Sequence, residues 1–117
     1  SILAKGDIGR IRQVLTNLLS NSIKYGREQG TTEVRINDKE DHIEVEVSDD
    51  GIGISKDHLP RLFERFYRVD KSRSREQGGT GLGLSIVKHI LEAHGQSIDV
   101  DSEPGRGTTF CFTLNKP

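Results

Sequence analysis

The stretch "HIEVEVSDDGIGI", residues 42–54, alternates apolar with charged side chains and then breaks into glycine. Strand side chains repeat every two residues, so Ile43, Val45 and Val47 fall on one face and Glu44 and Glu46 on the other. Upstream, "TEVRIND" (32–38) alternates through Val34 and Ile36, and the polar "NDKED" between the runs predicts an antiparallel hairpin. The scheme returns in "SIDVDSEPGRGTTFCFTL" (97–114). Ile98 and Val100 mark one strand, Phe110, Phe112 and Leu114 another, and "EPGRG" turns between them.

Strands with one apolar face need a cover. "GDIGRIRQVLTNLLSNSIKYG" (6–26) carries Ile8, Ile11, Leu15, Leu18 and Ser22 at helical spacing, and Val14 and Leu19 widen the stripe. Asp7 suits its start and Gly26 its stop. A second helix is expected over 81–94, with Leu82, Leu84, Ile86, Val87, Ile90 and Leu91 on its apolar side. The fold class is therefore α+β: a two-layer α/β sandwich whose mixed, mostly antiparallel sheet is covered on one face by helices. Residues 64–80, "ERFYRVDKSRSREQGGT", hold no sustained period but carry Arg65, Arg68, Lys71, Arg73 and Arg75, and read as a mobile loop.

The chain of 117 residues suits one domain spanning 1–117. Hydrophobic residues make up 32% and charged residues 30%, and the strong patterning of the former argues against disorder. A net charge of −1 leaves no basic excess, so nucleic acid is not expected as a partner. The single Cys111 excludes an internal disulfide and a cysteine zinc site. No apolar run reaches membrane-spanning length, and no signal peptide is visible. The chain starts almost at a helix, which suggests a piece of something larger.

Four places carry residue types suited to chemistry. On the first helix, Asn17, Asn21, Lys24 and Tyr25 share a face at i, i+4, i+7 and i+8. Asparagine supplies a neutral, hard carbonyl oxygen that suits Mg²⁺; Lys24 suits phosphate and Tyr25 a flat base. After the second strand, Asp49 precedes Gly51 and Gly53, which permit tight backbone and close ligand approach. A carboxylate there accepts from the exocyclic amine of adenine and opposes the oxygen of guanine. "GGTGLGLSIVKHI" (78–90) places Gly78, Gly79, Gly81 and Gly83 at a helix start, where free amides and the dipole attract phosphate, and Thr80 adds a hydroxyl. "GRGTTF" (105–110) offers Thr108 and Thr109 to a base. Each has a plainer reading beside it: asparagines bonding backbone or water, an Asp-Gly turn, a flexible hinge, ordinary strand threonines.

In order, these pieces resemble the catalytic and ATP-binding domain of sensor histidine kinases, a branch of the GHKL group of ATP-binding folds. The motifs are the Asn-rich helix, Asp-x-Gly-x-Gly, "LFERFYRVD", "GTGLGL" and "GTTF", over roughly residues 6–114. The resemblance implies that Asn21 ligates Mg²⁺ with Asn17 supporting it, that Lys24 meets phosphate and that Tyr25 packs on adenine. It makes Asp49 the adenine-reading carboxylate, with Asp50 in the variable position. Phe63 and Phe66 match the box that anchors an ATP lid over about 64–80, and Arg68 matches the Arg that meets the outer phosphates. It extends the ATP site to Gly51, Gly53 and Ile54, to Phe66, to Gly79, Thr80, Gly81, Leu82, Gly83 and Leu84, and to Thr108 and Thr109. Asn17, Lys24 and Arg68 take the catalytic roles.

ATP-hydrolysing relatives place a Glu general base where this chain has Asn17. An amide takes no proton from water, so the resemblance implies transfer of the γ-phosphoryl group to a histidine rather than hydrolysis. His42, His58, His89 and His94 all lie outside an acceptor context, and His89 and His94 read as structural or surface residues. The acceptor is thus expected on a separate dimerisation domain, for relay to a response regulator. The fragment is expected to be a cytoplasmic monomer, and its parent a homodimer of the kind found in bacterial inner-membrane sensors. A free-standing anti-sigma-type kinase of the same fold is one alternative, though such proteins usually keep the carboxylate that Asn17 replaces; a degenerate domain that only docks partners is another, against which the ligand positions at Asn21, Lys24, Asp49 and Gly83 argue.

Overall fold

The computed structural model describes residues 6–24, 29–67 and 83–117. Helix α1 runs Ile8–Lys24 over the described residues, starting two residues later than the span read from the sequence, and Tyr25 and Gly26 lie outside the described residues. Asp7 caps it: its carboxylate accepts the Arg10 N–H at 3.0 Å, and its carbonyl accepts the first intrahelical bond, from Ile11, at 2.9 Å. The hairpin follows as β1 (Thr32–Asp38) and β2 (His42–Asp49). A short 3-10 turn at Leu59–Arg61 precedes helix α2 (Gly83–Ala93), and strands β3 (Ile98–Glu103) and β4 (Gly107–Asn115) end the chain.

The sheet order is β1-β2-β4-β3, and every pairing among these strands is antiparallel. Over the described residues the sheet of the expected two-layer sandwich is antiparallel throughout. Register sets the layers. Val45 pairs with Phe112, Val47 with Phe110 and Ile43 with Leu114, so the apolar faces of β2 and β4 form one surface. Onto it pack Val14 and Leu18 of α1 and Val87, Ile90 and Leu91 of α2, all buried. Phe110 and Phe112 are the largest fully buried side chains, each worth about 1.5–3 kcal/mol relative to exposure.

Two apolar expectations fail at the margins. Ile8 has helical spacing with the stripe but sits in the first turn, 76% exposed, outside the core cluster. Val34 and Ile36 on β1, at the edge of the described sheet, face the helix side but stay 45% and 52% exposed, because β1 has a strand neighbour on one side only among the described residues.

His94 clips the two helices together. Its Nε2 accepts the Asp7 N–H at 3.1 Å, which leaves Nδ1–H to donate to the Ile90 carbonyl at 2.9 Å. The structural role expected for this histidine is met. On the open face of the sheet Cys111 lies half-buried, and burial, then Glu44, Glu46 and Asp99, pushes its thiol pKa up. No helix among the described residues is long and apolar enough to cross a membrane.

Candidate functional site

The helix periodicity that turns Val14 and Leu18 inward turns Asn17, Asn21 and Lys24 to a neighbouring, half-buried face. That face meets the start of α2. The Asn17 side-chain amide donates to the Gly83 carbonyl at 3.3 Å, so one hydrogen bond sets the asparagine row beside the helix N-terminus. A Cβ added at Gly83 would meet nothing within 4 Å among the described residues. Leu84, the next residue, packs against the core. Ser22, one residue past Asn21, is buried with no hydrogen-bond partner for its hydroxyl among the described residues.

Asp49 ends β2 on the helix side of the sheet, in register with Thr108. One carboxylate oxygen accepts the Gly51 N–H at 2.9 Å, closing the turn; no other side-chain bond to Asp49 forms among the described residues. Asp50 accepts the Thr31 N–H at 2.8 Å and so serves the backbone. Gly53 has a left-handed φ of 75°, and a Cβ there would lie 2.0 Å from the Glu103 carbonyl oxygen. The close approach this glycine permits is made by the chain's own backbone. Ile54, which follows, is buried in the core.

The two threonines of "GTTF" point to opposite faces, as neighbours in a strand must. Thr108 goes to the Asp49 side, 6% exposed, and its hydroxyl pairs with Ser102 at 2.7 Å. Thr109 goes to the open side and pairs with Ser48 at 2.7 Å. The expectation that both face one base is corrected: only Thr108 shares a face with Asp49. The phenylalanine pair also divides. Phe63 packs edge-on against Phe110, ring centroids 6.2 Å apart, and so anchors this segment. Phe66 sits at a φ of 65° with its ring 62% exposed and Arg65 over it at 5.6 Å, so it anchors nothing in the described residues. Tyr25, Arg68, Gly79, Thr80, Gly81 and Leu82, and most of the expected lid, lie outside the described residues.

Two groupings escaped the sequence reading. Ser102 binds Ile54 N–H, Gly107 carbonyl and Thr108 hydroxyl at 2.8, 2.9 and 2.7 Å beneath the Asp49 loop. Its signal was available: in the alternation Ile98, Val100, Ser102, a serine takes an apolar place. Across the 3-10 turn, His58 bonds the Tyr67 hydroxyl and Arg61 lies 4.7 Å over the Tyr67 ring. No period in the sequence links these three.

The family model described as "Histidine kinase-, DNA gyrase B-, and HSP90-like ATPase" matches residues 6–117. Two sensor histidine kinases of Bacillus subtilis (strain 168) are similar in sequence. WalK is 49% identical over 110 residues, 92% of this chain and 18% of that protein. YkoH is 49% identical over 116 residues, 99% of this chain and 25% of that protein. The chain thus spans a quarter or less of these curated relatives. Among solved structures, the mycobacterial sensor histidine kinase MprB superposes with a TM-score of 0.84 at 30% identity, over 97% of this chain and 76% of that one. The catalytic domain of histidine kinase ThkA superposes with a TM-score of 0.81 at 32% identity, over 97% and 70%. The family model covers nearly the whole chain, and the chain belongs to the histidine kinase-, DNA gyrase B- and HSP90-like ATPase family as an ATP-binding catalytic domain of the sensor histidine kinases.

Proposed function

We infer that this chain binds ATP with Mg²⁺ and donates the γ-phosphoryl group to a histidine on a separate dimerisation domain, for relay to an aspartate of a response regulator. The observation that carries the reading is the Asn17–Gly83 bond, which sets the row of amides on α1 beside the N-terminus of α2. A full-length relative, ShkA, is described in complex with AMPPNP and superposes with a TM-score of 0.77 at 31% identity, over 93% of this chain and 22% of that one.

In this reading Asp49 accepts the purine amine through the oxygen that Gly51 leaves free. The first amides of α2 receive phosphate, as a helix N-terminus does. Lys24, and Arg68 from outside the described residues, add positive charge there. Tyr25, outside the described residues, supplies the flat ring that the base would need. The Asn21 carbonyl oxygen suits Mg²⁺, which when bound offsets the phosphate charge.

Chemistry then needs an incoming nucleophile in line with the terminal phosphorus. The neutral imidazole nitrogen of the acceptor histidine supplies a lone pair, the new N–P bond forms, the bond to the bridging oxygen breaks, and ADP carries away the electron pair. Asn17 holds no basic group, so water is not activated in its place. The acceptor domain would make the parent a homodimer with this domain on the cytoplasmic side, and no nucleic acid enters the scheme.

The test is transfer in trans. The chain, mixed with the parent's own dimerisation domain and γ-labelled ATP, is expected to place acid-labile, base-stable label on that domain. Bound ATP with no label transferred would overturn the phosphotransfer reading.

A further inference from the structure

The loop after β2 is fastened to the β3–β4 turn from several directions. Gly105 N–H donates to the Ile52 carbonyl at 2.8 Å, and Ile54 N–H donates to Ser102 Oγ at 2.8 Å. Gly53 and Gly107 let the two backbones touch: a Cβ on either would lie 2.0 Å from a carbonyl oxygen, that of Glu103 or of Asp49. Ser102 stands at the centre, 7% exposed.

Its hydroxyl has one proton and three partners, so the directions of the bonds follow. The Gly107 carbonyl only accepts, and it takes the Ser102 proton at 2.9 Å. Ser102 Oγ must then accept from both Ile54 N–H and Thr108 Oγ1–H. The Thr108 proton is therefore committed to Ser102. Thr108 is the register partner of Asp49 on the same face, where Cβ atoms of antiparallel pairs lie about 4.5–5.5 Å apart. A threonine proton left without Ser102 has a carboxylate oxygen within reach.

We propose that Ser102 is a specificity-determining positioning residue, which pins the Asp49 loop and keeps the Thr108 proton off Asp49, so that the carboxylate stays an open acceptor for a purine amine. The inference rests on the reading of Asp49 as the base-recognising group. Ser102 itself touches no nucleotide; it acts through Thr108 and the loop, as supporting hydrogen bonds do at other preorganised sites. Without it, Thr108 turns its proton to Asp49, and the purine amine must compete for that oxygen.

The experiment measures the ratio of ATP to GTP affinity by calorimetry with Mg²⁺ present. It uses the unaltered chain, Ser102→Ala, Ser102→Cys and Val87→Ala, each confirmed folded by circular dichroism. The unaltered chain prefers ATP. Ser102→Ala is expected to lower that ratio about tenfold through loss of ATP affinity. Ser102→Cys, which keeps a weak donor at similar volume, falls between. Val87→Ala, a cavity in the same core away from the loop, keeps the ratio whatever it does to stability. An unchanged ratio in folded Ser102→Ala or Ser102→Cys, or an equal loss in Val87→Ala, overturns the proposal. Equal binding of ATP and GTP by the unaltered chain overturns instead the reading of Asp49 on which it rests.

Discussion

The amide nitrogen of Asn17 donates to the carbonyl of Gly83 at 3.3 Å, joining the middle of α1 to the first residue of α2. The same side chain therefore has a structural task and a place in the proposed site. Asn17→Ala is expected to cost about 0.5–1.5 kcal/mol in urea denaturation, the usual net worth of one such bond. Asn17→Asp is expected to cost more, since it sets a carboxylate against a carbonyl oxygen. Equal stability of all three proteins would show that the bond does not hold the helices together.

Three glycines that look alike in sequence should behave differently. At Gly53 and Gly107 the φ angles are 75° and 104°, and a Cβ would strike backbone 2.0 Å away. Alanine at either is expected to destabilise by about 3 kcal/mol or more, the range of strained and overpacked sites. Gly83→Ala meets no described residue within 4 Å of the new Cβ at a helix start and is expected to gain up to about 1 kcal/mol of stability. Its methyl nonetheless enters the space assigned to phosphate, so ATP affinity falls while melting temperature does not. Thermal denaturation beside nucleotide titration separates the two classes.

Ser22 lies 1% exposed, and its hydroxyl has no partner among the described residues. Burying an unmet hydroxyl is costly, and alanine is the better helix former. Ser22→Ala is expected to raise stability by about 1 kcal/mol, read as a higher urea midpoint at unchanged slope. A loss of that size would mean that the hydroxyl has an acceptor.

Cys111 should react sluggishly. Burial first, then Glu44, Glu46 and Asp99, raise its thiol pKa above the ordinary value, so less thiolate is present at neutral pH. Alkylation by iodoacetamide at pH 7.5 is expected to run slower than with a free small thiol, and to speed up with both pH and salt. Because folding favours the protonated thiol, the stability it contributes is whole below the unfolded-state thiol pKa and is lost as pH rises through the raised one. A rate matching that of a free thiol would deny the effect of its neighbours.

Much of the fold was legible because period-two and period-3.6 patterns report burial directly. Val45, Val47, Phe110 and Phe112 alternate as the core strands they are, and Val14 and Leu18 mark the covered side of α1. The pattern failed where burial depends on what lies beyond an edge. Val34 and Ile36 alternate like Val45 and Val47, yet nothing in a one-dimensional repeat says that β1 lies at the edge of the described sheet. The site was legible as motifs, but not as directions. Adjacent Thr108 and Thr109 face opposite sides, and the glycine freedom at Gly53 serves the Glu103 backbone. Ser102 carried a signal, a polar residue in an apolar register, that acquires meaning only once three partners converge on it.

The proposed function requires one pocket in which Asn21 would hold Mg²⁺ and Asp49 would recognise adenine. Calorimetric titration of the chain with ATP, with Mg²⁺ and then with the ion removed by chelator, tests it most directly, with Asn21→Ala alongside. The account predicts saturable binding of one ATP per chain, weakened at least tenfold by the chelator, and an Asn21→Ala protein that is folded but insensitive to Mg²⁺. Absence of ATP binding with Mg²⁺ supplied, or an Asn21→Ala protein as responsive to the ion as the original, would contradict it.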